Sequence, residues 1–90
     1  MKRQKFATKK ELRHYKAILN TMDPNTQTYW VLNRMLLFGP ISAMQAFRDA
    51  NITRLSARIY ELKNDYGIPI EKEYIYNNGP TYAVYYIGRP

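Results

Sequence analysis

A chain of 90 residues is long enough for one small domain, and its 46% of hydrophobic residues is typical of a folded protein. The absence of cysteine excludes disulfide bonds, thiolate chemistry and cysteine-based zinc sites, and no apolar run is long enough for a signal peptide or a membrane span. The net charge of +7 favours a polyanionic partner, nucleic acid before an acidic membrane.

The positive charge is concentrated at the N-terminus. Residues 1–16 carry seven basic side chains against one acidic side chain, whereas residues 17–90 carry seven basic and six acidic ones. The seven N-terminal basic residues are Lys2, Arg3, Lys5, Lys9, Lys10, Arg13 and Lys16. We expect them to contact the phosphates of a nucleic acid, and the alternative is a solubilising tail.

The first predicted helix begins in this basic segment. The sequence TKKE at residues 8–11 has the spacing of a capping box, which typically starts a helix. Leu12, Tyr15 and Leu19 form its apolar side, and we expect it to end near residues 20–22, before a proline.

A second and a third helix follow, each with its own start and stop signals. Either Asn25 or Thr26 can cap the second helix, which ends at Gly39-Pro40. Ser42 can cap the third helix, the short segment AMQAFRDA.

The fourth predicted helix follows the third after a tight turn at residues 51–53. We expect Thr53 to cap this helix, which then runs from Arg54 to about Asp65. Gly67 is expected to end it, because glycine adopts the left-handed conformation without strain.

After that glycine the hydrophobic pattern changes from a helical period to alternation. IEKEYIY (70–76) and YAVYYI (82–87) are therefore predicted to be two strands of a hairpin, connected by residues 77–81, where Asn-Gly is a strong hairpin signal. Two helices joined by a tight turn and followed by a two-stranded ribbon make a winged helix-turn-helix.

The predicted fold is thus mainly α with a β-hairpin: a winged helix-turn-helix preceded by an extra N-terminal basic helix. We expect residues 1–25 to form the basic arm and helix and residues 26–90 to form the winged helix-turn-helix domain. The expected core consists of Leu32, Met35, Leu36, Ile41, Ala46, Phe47, Ile52, Leu55, Ile59 and Leu62, closed on one side by Ile68, Ile70 and hairpin tyrosines.

The fourth helix combines an apolar face with polar residues suited to the edges of DNA bases. Arginine donates two parallel hydrogen bonds that match guanine or a phosphate. We expect base contacts from Arg54 first, then from Ala57 and Arg58, and then from Ser56 and Tyr60. The alternative for Arg58 is a packed strut or an ion pair with Glu61.

Contacts to the DNA backbone are expected from hydroxyl and amide side chains elsewhere. These residues are Ser42, Thr53, Asn77, Asn78 and Thr81. The hairpin tip has no Lys or Arg, and two glutamates on one strand face, Glu71 and Glu73, would repel phosphate. Because tyrosine is enriched at interfaces, the Tyr-rich hairpin also offers a surface for a protein partner.

The stretch GPISAMQAF is followed by ANITRLSARIYELKNDYGIPIE, and the most specific part of this pattern is the run from Ile52 to Ile59. Over residues 39–71 the pattern resembles a family of small winged helix-turn-helix domains of bacteriophages and prophages. The resemblance implies DNA binding, in regulation or recombination.

No residue pattern indicates catalysis. His14 stands alone among basic residues, and Glu71 and Glu73 lack further ligands, so we expect no enzymatic activity, no cofactor and no metal.

The sequence therefore predicts a cytoplasmic protein of a bacterial host cell that binds double-stranded DNA sequence-specifically. It would be of phage or mobile-element type and act in transcription regulation or as an excisionase-like recombination factor, with no membrane partner. A homodimer or a cooperative multimer on DNA is left open, and so is a role in packaging or replication. The alternative is a winged-helix protein-interaction module that binds a host or phage protein through its Tyr-rich hairpin or basic first helix.

Overall fold

Four helices and a three-stranded antiparallel sheet make up the described part of the chain, residues 9–76 and 78–88 of this computed structural model. In chain order the elements are α1 Lys9–Leu19, α2 Gln27–Phe38, β1 Ile41–Ser42, α3 Ala43–Ala50, α4 Leu55–Asn64, β2 Ile70–Ile75 and β3 Tyr82–Ile87. The predicted mainly helical fold with a hairpin is confirmed.

Side-chain caps fix the starts of α2 and α3. The Thr26 hydroxyl accepts a hydrogen bond from the Tyr29 N–H at 3.2 Å. Ser42 Oγ accepts from the Gln45 N–H at 3.2 Å, while Gln45 Oε1 accepts from the Ser42 N–H at 3.0 Å. This reciprocal pair is a capping box, which satisfies two backbone donors that a helix start leaves unpaired. Of the two predicted candidates for the cap of α2, Asn25 and Thr26, the structure has Thr26, and the predicted cap Ser42 is confirmed.

The start of α4 differs from the prediction. Its N-cap residue is Arg54, no side chain of the described residues caps it, and Thr53 is exposed. The Arg54 carbonyl accepts the first helical hydrogen bonds, from the N–H groups of Ala57 and Arg58 at 3.1 and 3.4 Å. Because a cap must occupy the residue that accepts these bonds, Thr53 is one position too early, and its predicted capping role is wrong.

The end of α4 follows the prediction. Gly67 has a φ of +69°, in the left-handed region that L side chains rarely adopt. This reversal lets the Ile68 N–H donate to the Leu62 carbonyl oxygen at 3.0 Å and buries the Ile68 side chain. The predicted left-handed stop at Gly67 is confirmed.

The sheet has one strand more than the predicted hairpin, in the order β1-β3-β2. Ile41 of β1 pairs with Tyr85 and Ser42 with Val84. Two residues are too few to show an alternating pattern, so this strand left no periodic signal in the sequence. Ser42 serves both elements because the extended backbone of an N-cap residue, here with φ −106° and ψ 164°, is also that of a strand.

One core joins all the helices to the sheet. Its buried residues are Tyr15, Leu19, Met22, Val31, Leu32, Met35, Leu36, Ile41, Ala46, Ile52, Leu55, Ile59, Leu62, Ile68 and Ile70. The first three come from α1 and the turn after it, so α1 packs on α2 instead of extending into solvent. The predicted placement of Phe47 in the core is wrong: its neighbour Ala46 points inward, and Phe47, about 100° further around α3, is 54% exposed.

Candidate nucleic-acid interface

Helix α4 has one buried face and one open face. Leu55, Ile59 and Leu62 are buried against α2, α3 and β2. The open face carries Ser56, Tyr60, Lys63 and Asn64, and Tyr60 at its centre is 67% exposed. Arg54 and Thr53 are exposed just before the first turn. These side chains present donors and acceptors along one continuous strip of surface.

The predicted base-reading residues divide between this open face and the side of α4 that faces α2. Ser56, Tyr60 and Arg54 are exposed, whereas Ala57 and Arg58 are half-buried. The sequence-based ranking prefers Ala57 and Arg58 to the more exposed Ser56 and Tyr60, and it does not include Lys63. The signal for Lys63 was its spacing of three residues from Tyr60, which places both on one helix face.

Polar contacts tie the inner side of α4 to the first turn of α2. Arg58 Nη2 donates to Glu61 Oε2 at 3.1 Å, and Arg58 Nη1 donates to Gln27 Oε1 at 3.2 Å. The Thr28 hydroxyl donates to the other carboxylate oxygen of Glu61. We call Gln27, Thr28, Arg58 and Glu61 the α2–α4 clamp. The predicted alternative for Arg58, an ion pair with Glu61, is therefore present.

The hairpin of β2 and β3 carries opposite charges on its two faces. Lys72 pairs with Tyr85, and Tyr74 with Ala83, on the face that packs against the core through Ile70. Glu71 and Glu73 alternate with them, so both carboxylates lie on the opposite face. Lys72 Nζ lies 5.5 Å from the ring centroid of Tyr74 and 5.9 Å from that of Tyr85.

Lys72 is a basic residue that the sequence analysis did not include among the candidates. Only the tip of the hairpin was considered for basic residues, and Lys72 lies within strand β2. Its signal was the alternation of β2, which separates the lysine from the neighbouring glutamates. Glu71 and Glu73 lie on the other face of the wing. They are therefore not beside an anion that approaches Lys72 from the face that packs on the core.

A family model for the winged helix-turn-helix domain matches residues 26–90. The chain belongs to this family. The comparison with curated proteins finds no match, and neither does the comparison with solved structures. Winged helix-turn-helix domains place the second helix of the motif in the major groove of DNA. Membership of this family therefore supports DNA binding.

The order of elements matches this description of the domain. Helices α3 and α4 correspond to the two helices of the helix-turn-helix, the second of which is called the recognition helix in such domains, and the β2–β3 hairpin corresponds to the wing.

The residues of the winged helix-turn-helix that are expected to contact the DNA backbone differ in their exposure to solvent. Thr53, Asn78 and Thr81 are exposed, but Ser42 is buried, and its hydroxyl is engaged in the capping box. Arg13 and Lys16 are both exposed on α1, Arg13 on the side opposite the buried Tyr15 and Lys16 on the flank of the helix. Lys2, Arg3, Lys5 and Asn77 lie outside the described residues, as do the TKKE capping box and the side chains of Lys9 and Lys10.

A groove of about 880 Å³ lies between α3 and the wing. Met44 and Arg48 line one wall, and Ile75, Tyr82 and Val84 line the other, from the wing face that also carries Glu73. Arg48 Nε donates to Asp49 Oδ1 at 3.0 Å, and this hydrogen bond, with the charge of Asp49, raises the pKa of the guanidinium. The groove is largely apolar and is separate from the open face of α4.

Within residues 9–76 and 78–88, no helix has the length and hydrophobicity needed to cross a membrane. In the same residues, no three His, Asp or Glu side chains come together as metal ligands do.

Proposed function

We propose that this winged helix-turn-helix protein binds double-stranded DNA sequence-specifically, with α4 in the major groove. Base edges would be contacted by Arg54, Ser56 and Tyr60, and Lys63 would meet the flanking phosphates. The observation that carries the proposal is the open face of α4, because burial of the apolar stripe on one side leaves these polar side chains exposed together on the other side.

The wing supports the same orientation on DNA. Its lysine-bearing face is the one whose Ile70, Tyr85 and Ile87 pack on the core, and its carboxylates lie on the opposite face. Lys72 would contact a phosphate of the duplex whose major groove holds α4, while Asn78 and Thr81 at the tip would donate neutral hydrogen bonds. The basic N-terminal residues would add attraction that does not depend on sequence, since each neutralised phosphate releases counterions.

Selection of bound duplexes from a random pool, at near-physiological salt, tests this proposal. The parent protein should enrich a defined motif, and Arg54→Ala or Ser56→Ala should each lose preference at separate positions of it. Arg48→Ala is the matched control, because Arg48 lies on α3 and pairs with Asp49. If the parent enriches no motif, sequence-specific binding is excluded.

The biological role would be that of a regulator or an excisionase-like recombination factor of phage or mobile-element type. An excisionase-like factor would bind head-to-tail and cooperatively and would bend DNA, whereas a regulator would occupy a single operator without these requirements. Mobility-shift titration on one and on several adjacent copies of the selected motif distinguishes the two roles. Cooperative, bent complexes on adjacent copies would favour recombination, and independent occupancy would favour regulation.

The groove between α3 and the wing favours a second function, a protein-interaction module. Its apolar wing residues face away from the lysine-bearing side, so a protein partner there would not compete with DNA at α4. A pull-down from nuclease-treated lysate separates the two functions. A partner retained after nuclease and lost on Tyr82→Ala would support the module, whereas loss after nuclease alone would point to DNA.

A further inference from the structure

We propose that Arg58 positions the recognition helix and does not read a base. The other members of the α2–α4 clamp hold it in this role, so base readout falls to Arg54, Ser56 and Tyr60. This inference rests on the proposed DNA binding and concerns how selectivity is divided within α4.

The hydrogen bonds of the clamp engage both terminal nitrogens of the Arg58 guanidinium. A guanine contact uses two parallel N–H donors on one edge. In Arg58 the two terminal nitrogens are directed to different partners, Nη1 to Gln27 and Nη2 to Glu61. Its Nε is buried and finds no hydrogen-bond partner among the described residues. Each terminal nitrogen therefore has one of its two N–H groups in the clamp, and the burial of Nε closes the side-on edge formed by Nε and Nη2. The clamp thus directs the guanidinium toward α2, and the side-on edge is not open to a base.

The environment of Glu61 stabilises this arrangement. Its carboxylate accepts from Arg58 through one oxygen and from Thr28 through the other. Thr28 lies in the first turn of α2, where the positive end of the helix dipole favours a negative charge. Charge-assisted hydrogen bonds are about twice as strong as neutral ones, and the Arg58 side chain is only 27% exposed.

The clamp controls the rotation of α4 about its own axis. Leu55, Ile59 and Leu62 fix which face is buried, but an apolar stripe alone allows small rotations, because apolar contact is not directional. Hydrogen bonds on the flank of α4 are directional and join it to a helix that is distant in the sequence. If the clamp is lost, all base-reading side chains should shift together.

Thr28 allows a test that does not alter charge. It is only 8% exposed, so it cannot reach DNA directly, and Thr28→Val removes the donor while keeping the shape. We expect Thr28→Val and Arg58→Met each to lower the ratio of affinity for the selected motif to affinity for a scrambled duplex by about threefold to tenfold. This ratio cancels the general loss of attraction that follows removal of a positive charge.

The two substitutions should not be additive, because they remove parts of one network. The double variant is expected to be no less selective than Arg58→Met alone. Weakened preference should spread over all positions of the motif. Thr28→Ser, which keeps the hydroxyl, should bind as the parent does, and so should the control Thr21→Val in the exposed turn after α1. Circular dichroism and thermal unfolding verify that each variant is folded.

Two results would overturn the inference while leaving the proposed function intact. One is loss of preference at a single base pair in Arg58→Met together with an unchanged profile in Thr28→Val. The other is recovery of selectivity by Arg58→Lys, because a lysine can contact guanine but cannot join Gln27 and Glu61 as the guanidinium does. A parent that enriches no motif would instead contradict the proposed function itself.

Discussion

The ammonium group of Lys72 lies over the ring of Tyr74, 5.5 Å from its centroid and 3.5 Å from its hydroxyl oxygen. An exposed lysine otherwise samples many rotamers, and ordering it on binding costs free energy. The ring and the hydroxyl hold this charge on the wing face that packs on the core through Ile70. Lys72 is therefore ordered in advance for contact with a phosphate, although it lies outside the hairpin tip.

Lys72→Ala should weaken binding to every duplex alike. If Lys72 neutralises one phosphate, the slope of log affinity against log salt should become shallower by about 0.9. Fluorescence anisotropy on the selected motif and on a scrambled duplex, at several salt concentrations, measures both quantities. Arg48→Ala removes the same charge from α3 and should leave the slope unchanged. Equal slopes for parent and Lys72→Ala would show that the wing strand does not contact phosphate.

The packing of α1 predicts that two leucines will respond differently to the same substitution. Leu19 is 5% exposed and lies in the common core, whereas Leu37 on α2 is 53% exposed. Leu19→Ala should lower the free energy of unfolding by about 2 to 5 kcal/mol, because it removes buried methyl groups and leaves a cavity. Leu37→Ala should change it by less than about 1 kcal/mol. Denaturant titration followed by circular dichroism compares the two variants. If the loss of stability in Leu19→Ala is as small as that expected for Leu37→Ala, α1 does not contribute to the core.

The same packing determines how the basic N-terminal segment should be tested. Deleting residues 1–16 would also remove the buried Tyr15 and would confuse loss of charge with loss of stability. Arg13→Gln combined with Lys16→Gln alters only exposed side chains of α1. If both residues contact phosphates, the salt slope should become shallower by about 1.8 with the free energy of unfolding unchanged. If the salt slope equals that of the parent, Arg13 and Lys16 do not contact phosphates.

Sequence periodicity predicted the helices well because each has strong local signals. Thr26, Ser42 and Gly67 act within one helical turn of the backbone groups that they satisfy, so their effects can be read without knowledge of the tertiary structure. The short strand β1 has no such signal, because its partner β3 lies more than 40 residues further along the chain. Non-local pairing of two residues cannot be inferred from local alternation.

The candidate site was predictable to a similar extent. The spacing of Leu55, Ile59 and Leu62 correctly identified the buried face of α4. The spacing did not indicate on which side of α4 the helix α2 packs. In the structure α2 covers part of Arg58 and leaves Tyr60 exposed. The exposed position of Tyr60 thus depends on tertiary packing, which the helical period alone does not contain.

Two serines that sequence reasoning assigned to DNA contact should separate stability from binding. Ser42 Oγ caps α3 from a buried position, whereas Ser56 is exposed on α4. Ser42→Ala should lower the free energy of unfolding by about 0.5 to 2 kcal/mol, the usual cost of losing an N-cap. Ser56→Ala should change it by less than about 0.5 kcal/mol, as expected at an exposed site, and should instead weaken binding to the selected motif. Thermal unfolding and anisotropy titration of both variants give the two quantities. If the Ser42→Ala protein has the stability of the parent but a lower affinity for DNA, the assignment of Ser42 as a purely structural cap is wrong. Ser42 would then be a phosphate-contacting residue.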